Sequence, residues 1–201
     1  SVPDCYADLG YRTVSTNPCG EIPLCPYDSC RLLAINLYSY VVNPFKPDAY
    51  FDFDLFKKHV ALAQRIMDDI IDLELEKIER IMAKIDSDPE NEDVKHTESV
   101  LWQKIYKKSG QGRRTGVGIT AEGDMLAALG LRYGTEEATE FAEKVHQTVA
   151  LSAYRSSVEM AKERGAFEVY DSEREKNNPF INRLREADPE LYEEMKKYGR
   201  R

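Results

Sequence analysis

The chain has 201 residues, of which 42% are hydrophobic, and a formal net charge of −8. This length and composition suit one globular domain with a hydrophobic core rather than a disordered chain. The acidic balance argues against direct nucleic-acid binding, which needs a basic face. No apolar run approaches the ~20 residues of a membrane span. The first residues lack signal-peptide character, so we expect a cytoplasmic protein with no membrane partner.

Residues 1–16 show no clear period, and they are followed by Asn17-Pro18-Cys19-Gly20-Glu21, the segment of greatest chemical interest. In an extended backbone, side chains two positions apart point to the same side. Asn17, Cys19 and Glu21 would then converge. Pro18 fixes its own φ and Gly20 tolerates unusual dihedrals, which favours a tight loop tip.

A carboxylate beside a thiol disfavours the thiolate, so Glu21 should raise the pKa of Cys19. Nucleophilic cysteines need the opposite environment. A thiol kept as S–H fits hydrogen-atom transfer better than nucleophilic attack. From the residues alone, a Pro/Gly turn with a buried cysteine stays open, as does a zinc site formed by Cys19, Cys25 and Cys30. The spacing lacks the usual paired C-x₂₋₄-C pattern, so we expect no metal.

Residues 31–42 are apolar and rich in β-forming types, which predicts a buried strand ending at Asn43-Pro44, with a buried helix as the alternative. Residues 54–85 then predict an amphipathic helix with Asp54 as its N-cap. Its predicted apolar side consists of Leu55, Leu62, Ile66, Ile70, Leu73, Ile78, Ile81 and Ile85. We interpret its acidic residues as a solvated face and not as a di-iron site, because the chain has no Glu-x-x-His motif.

The rest of the chain predicts further helices around one short strand. A helix should span 93–108, with Val94, Leu101, Trp102 and Ile105 directed inward. A strand at 115–119 should contain glycines that allow close packing. Thr120 and Thr135 are the predicted N-caps of helices over 121–131 and from 136 to about 165. A short strand or extended segment at 166–170 and a polar loop at 171–178 should precede two short helices that begin at 179 and 189.

The motifs resemble a known family. Asn17 to Leu24, followed by Ser29-Cys30 and Ile35-Asn36-Leu37, is similar to the active-site loop of ribonucleotide reductases. Its Asn-Pro-Cys form resembles the adenosylcobalamin-dependent class II enzymes most closely. A supporting match covers Gly112 to Thr120, and the resemblance runs from about Thr16 to the C-terminus.

The resemblance implies an α/β fold, namely a predominantly helical fragment of the ten-stranded α/β barrel of these reductases. Residues 1–201 would form part of the catalytic domain. Within it, 1–30 is the catalytic loop region, 31–53 a strand and connection, and 54–201 a mainly helical part with an inner strand near 115–119. The chain itself would be a middle piece of a larger enzyme, inactive without the remaining barrel segments.

The resemblance also implies a reaction that supplies deoxyribonucleotides for DNA synthesis. Homolysis of the Co–C bond of adenosylcobalamin passes a radical to Cys19, whose thiyl abstracts the ribose 3′ hydrogen of a ribonucleoside di- or triphosphate. Glu21 is the general base on the 3′ hydroxyl, and Asn17 hydrogen-bonds the substrate. Cys30 and a thiol outside this chain become a disulfide, which an external dithiol reduces.

Three alternatives remain at this level. The same loop occurs in class I reductases, which use a separate metal subunit. A non-catalytic helical interaction domain would explain the helices, and a thiol oxidoreductase using Cys25 and Cys30 would explain the cysteines. The segment Arg31 to Ala34 departs from the common family form, which bears on the reach of Cys30. No residue is assigned to cobalamin, and no role is assigned to Cys5.

Overall fold

The computed structural model describes residues 4–17, 20, 22–29 and 31–201. The first described elements are a short 3₁₀ helix (Ala7–Leu9) and a hairpin of strands β1 (Ser15–Thr16) and β2 (Pro23–Leu24). The antiparallel register pairs Ser15 with Leu24 and Thr16 with Pro23. This hairpin carries the predicted tight loop at its end.

Strand β3 (Leu32–Asn36) and strand β6 (Gly116–Thr120) form a parallel pair in which Leu32 faces Gly116 and Asn36 faces Thr120. The predicted strand at 31–42 is too long. After Asn36 the chain forms a 3₁₀ helix (Leu37–Tyr40), because the Asn36 side chain accepts a hydrogen bond from the Tyr38 N–H and caps that turn. Strand β4 (Val41–Val42) then pairs with β5 (Tyr50–Phe51).

Helix α1 (Phe53–Ser87) confirms the long predicted helix, but its N-cap is Asp52 rather than Asp54, since Asp52 Oδ1 accepts from the Leu55 N–H at 2.9 Å. The predicted apolar side is wrong over its first half. Ile78 and Ile85 are buried, Ile81 is half-buried, and the five other members are exposed. The buried face is instead Phe56, Val60, Ala63, Gln64, Met67, Asp68, Ile71, Ile78 and Ile85.

Helix α2 (Glu92–Gly112) completes the crossover from β3 to β6. It covers the predicted span and extends to Gly112. Val94 and Leu101 are exposed and not directed inward as predicted, whereas Trp102 and Ile105 are half-buried. The helix ends where Arg113 adopts the left-handed conformation at φ 43°.

Helix α3 (Glu122–Ala128) is shorter than predicted and begins after Ala121, which has a φ of 61°, so Thr120 is not its cap. Helix α4 (Glu136–Arg164) has the predicted Thr135 cap. Residues 166–170 form no strand, and a short helix α5 (Ser172–Glu175) interrupts the predicted polar loop. Helices α6 (Pro179–Ala187) and α7 (Pro189–Tyr198) begin at prolines as predicted.

Two clusters of buried side chains form the core. The larger cluster joins α1, α3 and α4 to β3 and the β4–β5 region, and it includes Leu37, Phe51, Phe56, Val60, Met125 and Val145. The smaller cluster joins α4 to α6 and α7 through Val158, Ile181, Leu184, Leu191 and Met195. Long-range packing therefore runs mainly through α1 and α4.

The described residues form a mostly helical α/β structure with three two-stranded sheets and no closed barrel. The predominantly helical prediction is confirmed for this part of the chain. Among these residues, no helix is both long enough and apolar enough to cross a bilayer.

Candidate active site

The loop tip predicted to carry the chemistry is closed at its base by Asn17. Its Oδ1 accepts a hydrogen bond from the Ile22 N–H at 2.9 Å, and its own N–H donates to the Ile22 carbonyl at 3.2 Å. The Gly20 N–H donates to the Asn17 carbonyl at 3.0 Å, and Gly20 has a φ of 79°. These bonds confirm a tight loop. The φ of Gly20 is not that of an extended backbone, so the assumed extended geometry is wrong at Gly20.

Of the four predicted site residues, only Asn17 is described, and it is 6% exposed. Cys19, Glu21 and Cys30 lie outside the described residues. Their predicted convergence and roles therefore stay predictions. The structure does describe Asn17 and Ile22, which close the loop, and Arg31, which directly follows Cys30.

Strand β6 packs closely against the loop base at Gly116. A β-carbon added to Gly116 would lie 2.9 Å from Leu32 Cδ2, 3.0 Å from Ile22 Cδ1 and 3.1 Å from the Arg31 carbonyl oxygen. Gly118, two residues along the same strand, has no such neighbour nearer than 4.0 Å. The predicted use of strand glycines for close packing thus applies to Gly116, which lets Ile22 pack on the parallel sheet.

Arg114 joins β6 to the hairpin. Its guanidinium donates to the Pro23 carbonyl at 3.3 Å and to the Tyr11 carbonyl at 3.4 Å, and it lies 3.5 Å from Asp28 Oδ2. The described contacts of Arg114 make it a positioning residue for the loop base.

Arg31, which directly follows Cys30, is held by three elements. It is 6% exposed, donates to Ser109 Oγ at 2.7 Å and to the Arg114 carbonyl at 3.1 Å, and forms an ion pair with Glu74. The departure from the family form at Arg31 therefore gives an anchored backbone and not a loose one. The anchoring role of Arg31 is not visible in the sequence, because an arginine before an apolar run does not by itself indicate burial.

Asp68 is the centre of an ionic network behind β6. It is 1% exposed and accepts from Arg113 Nε and Arg201 Nε, each at 2.7 Å. Arg164 lies 3.2 Å from it. Burial raises the pKa of Asp68, but the hydrogen bonds from Arg113 and Arg201 outweigh this effect and hold the pKa below its usual value.

The solvated-face prediction is therefore wrong for Asp68. Carboxylate oxygens of Asp68, Asp69 and Asp72 lie within 4.8 Å of one another, a grouping that could hold a cation. Arg113 also donates to Asp72, and Arg164 to Asp69. Guanidinium groups thus balance this charge. The burial of Asp68 could have been predicted from its position, because it lies on the same face of α1 as Gln64 and Ile71.

Cys25 is 3% exposed, and its Sγ lies 3.5 Å from Asp28 Oδ2. Burial, followed by the Asp28 carboxylate, raises the pKa of the Cys25 thiol. A thiol held protonated in this way is a poor attacking group. This environment disfavours the thiol-oxidoreductase alternative at Cys25, whereas the zinc-site alternative also involves Cys19 and Cys30, which lie outside the described residues, and stays untested.

A cavity of about 730 Å³ lies beside the loop base, with Ile22, Pro23, Thr115 and Val117 in its wall. This volume is typical of small-molecule sites. Four arginines also line it, but each has a carboxylate partner: Arg113 and Arg201 with Asp68, Arg114 with Asp28, and Arg200 with Glu175. The cavity therefore presents no uncompensated guanidinium among its described residues.

Comparisons with known proteins agree on one family. The model described as "Ribonucleotide reductase, barrel domain" matches residues 9–201. A vitamin B12-dependent ribonucleoside-diphosphate reductase of Thermoplasma acidophilum is 36% identical over 163 residues, covering 81% of this chain and 18% of the relative. The protein of the same name from Mycobacterium tuberculosis is 31% identical over 81% of this chain and 19% of the relative.

A ribonucleoside-diphosphate reductase subunit alpha of Chlamydia pneumoniae is 28% identical over 77% of this chain and 12% of the relative. The chain thus spans less than a fifth of the length of these relatives. Because the family model covers nearly the whole sequence, the chain belongs to the ribonucleotide reductase barrel domain family.

Proposed function

We propose that this chain supplies the catalytic loop of a ribonucleotide reductase, with Cys19 as the residue that removes the ribose 3′ hydrogen. The observation that carries the proposal is the loop base, where Asn17 and Ile22 close a short tip on the parallel β3–β6 pair. The family membership and the names of the relatives support the reaction class. Those names also support a ribonucleoside diphosphate as the substrate.

The proposed reaction uses Cys19, Glu21 and Cys30 of this chain, one thiol outside it and an external dithiol. The Cys19 thiyl takes the 3′ hydrogen, and Glu21 takes the proton of the 3′ hydroxyl. The 2′ hydroxyl leaves as water. Cys30 and a thiol outside this chain become a disulfide and provide two electrons and two protons, of which one proton leaves in the water and the other is gained at C2′. Glu21 returns its proton to the 3′ oxygen. Cys19 returns its hydrogen to C3′, and an external dithiol reduces the disulfide.

In this proposal Asn17 orients the substrate through a hydrogen bond. Its Oδ1 is used by the Ile22 N–H, so the substrate contact that we propose uses Nδ2 as a donor. The same side chain would then position the loop and orient the substrate. Arg114 and Gly116 act indirectly, because they position the loop base and do not contact the substrate.

The names of two relatives support adenosylcobalamin as the radical source of the complete enzyme. Each guanidinium that lines the described cavity already has a carboxylate partner, and no described contact marks a side chain that would hold this group. We therefore assign no residue of this chain to the cofactor, and expect other parts of the reductase to bind it.

A chimera tests the proposal. Residues of this chain would replace the matching segment of the Thermoplasma acidophilum reductase. The formation of deoxynucleotide would be measured aerobically, with a ribonucleoside diphosphate as the substrate and a dithiol as the reductant. We expect deoxynucleotide from the chimera, because this chain supplies the catalytic loop and the host binds the cofactor. The two classes are separated by the complete enzyme that contains this chain, which needs added adenosylcobalamin in class II and a metal-containing subunit in class I, the alternative suggested by the Chlamydia pneumoniae relative. A correctly folded chimera without activity would favour a non-catalytic interaction domain.

A further inference from the structure

Arg31 is held through both its side chain and its main chain. Its Nη2 donates to Ser109 Oγ on α2 at 2.7 Å, and its Nε pairs with Glu74 on α1. Its Nη1 donates to the Arg114 carbonyl, just before β6, at 3.1 Å. The Arg31 carbonyl in turn accepts from the Gly116 N–H of β6 at 3.0 Å. Two helices and the end of a strand therefore fix this one residue.

The Arg31 side chain is also almost completely buried. It is 4% exposed, and the side chain of its ion-pair partner Glu74 is 25% exposed. Burying a guanidinium is costly unless its donors find partners, and here Nε, Nη1 and Nη2 all do. Arg31 stands in the segment that departs from the common family form. These contacts are therefore a feature of this chain that the family resemblance does not explain.

Arg31 is one of the two covalent neighbours of Cys30. Cys30 lies outside the described residues, but both neighbours are described. On the other side, the Ser29 N–H donates to Asp28 Oδ1 at 2.9 Å. Arg114 connects the two sides, because its guanidinium lies 3.5 Å from Asp28 Oδ2 and its carbonyl accepts from Arg31. Consecutive Cα atoms are about 3.8 Å apart, so holding residues 29 and 31 restricts where the main chain of residue 30 can lie.

We propose that Arg31 is a positioning residue for Cys30 and determines how readily Cys30 forms its disulfide with the thiol outside this chain. This inference rests on the proposed function, in which two thiols become that disulfide and pass two electrons and two protons to the substrate. A disulfide requires Cα atoms about 4.4–6.8 Å apart and a narrow range of dihedral angles. A cysteine with a fixed main chain therefore meets its partner at a higher effective concentration than a freely moving one. Arg31 acts through the main chain and needs no contact with the substrate.

The potential of the Cys30 disulfide, in the complete reductase that contains this chain, tests the proposal. The enzyme would be equilibrated in dithiothreitol redox buffers without substrate, and the oxidised fraction of Cys30 would be measured by mass spectrometry after thiol trapping. Arg31→Met combined with Glu74→Gln removes the anchor and leaves no unpaired charge. We expect a roughly tenfold smaller equilibrium constant for disulfide formation, which is a shift of about 30 mV to a less negative potential.

A conservative variant and a matched control show whether the effect belongs to the Arg31 contacts. Arg31→Lys keeps a charge for Glu74 but loses the planar fork, so it should give a smaller shift than the double variant. The control, Arg65→Met with Glu163→Gln, removes an arginine–glutamate pair between α1 and α4 and should leave the potential unchanged. Circular dichroism would confirm that all variants fold.

Turnover gives a second measurement. The double variant should lower kcat while the KM for the ribonucleoside diphosphate stays within about twofold, because Arg31 does not bind the substrate. An unchanged potential in the double variant, or an equal shift in the control, would overturn the positioning role and leave the proposed function intact. A wild-type enzyme that forms no Cys30 disulfide would contradict the proposed redox role of Cys30 and the positioning role with it.

Discussion

Asn17 Oδ1 and the Ile22 N–H, five residues apart, form the 2.9 Å hydrogen bond that closes the proposed catalytic loop. The backbone N–H of Asn17 and the Ile22 carbonyl form a second bond between the same residues. One asparagine thus connects the β1–β2 hairpin to the tip that contains Cys19. The residue proposed to contact the substrate is therefore also structural.

Substitution of Asn17 should separate these two contributions. Asn17→Ala removes the acceptor, so it should cost about 1 kcal/mol of unfolding free energy and speed hydrogen exchange at the Ile22 amide severalfold. Asn17→Asp keeps an acceptor oxygen, so Ile22 should stay protected while the proposed Nδ2 donor is lost. Exchange measured by mass spectrometry or NMR would check this. Equal Ile22 protection in the wild type and Asn17→Ala would contradict the assigned bond.

Gly116→Ala should displace the loop base. The added β-carbon would lie 2.9–3.1 Å from Leu32, Ile22 and the Arg31 carbonyl, so we expect a loss of about 1–3 kcal/mol in urea unfolding. Gly118→Ala is the matched control on the same strand, where the nearest such neighbour is 4.0 Å away. Comparable losses for the two variants would show that the Gly116 contact is unimportant.

Asp68→Asn should be strongly destabilising. It removes the carboxylate that pairs with the buried Arg113 guanidinium, and breaking a buried ion pair on one side costs about 3–5 kcal/mol. The control is Asp69→Asn. The Asp69 side chain is 53% exposed, so its pair with Arg164 should contribute about 1 kcal/mol or less. Chemical denaturation at neutral pH would measure both.

The Asp68 contribution should also depend on pH. Because the folded-state pKa is lowered, the stabilisation is fully present above the unfolded-state pKa of about 3.9 and is lost as the pH falls through the folded value. The stability difference between wild type and Asp68→Asn should hold from pH 5 to 8 and shrink below about pH 4. A difference that grows on acidification would contradict the lowered pKa.

Cys25 should react slowly. Its thiol is buried beside Asp28 and has a raised pKa, so little thiolate exists at pH 8. Alkylation by iodoacetamide, followed site by site with mass spectrometry, should be at least tenfold slower than in urea. Asp28→Asn should speed it, since one of the groups that raise the pKa is removed. Labelling of the folded chain at the urea rate would contradict this.

The sequence predicted most helices well, because hydrophobic period and caps such as Thr135 are local signals. It predicted the exposed side of α1 wrongly over Leu55 to Leu73. That stripe has the period of a core face, and period alone does not say which of two apolar faces packs inside. The same ambiguity affected Val94 and Leu101 on α2.

The loop motif predicted the tight tip and the family, but not the residues that hold the tip. Arg31, Asp68 and Arg114 act through partners 40 or more residues away in the sequence, so their pairing depends on the tertiary fold. The N-cap of α3 is likewise Ala121 in a left-handed conformation and not Thr120, and nothing in the local sequence indicates this.

The role of Cys19 is tested most directly by deoxynucleotide formation in the chimera with Cys19→Ser. The account predicts that this variant forms no product while substrate binding and folding persist. Cys25→Ser, which changes a buried thiol outside the proposed chemistry, should keep the parent activity. Retention of the parent turnover by Cys19→Ser would contradict the radical role of this residue.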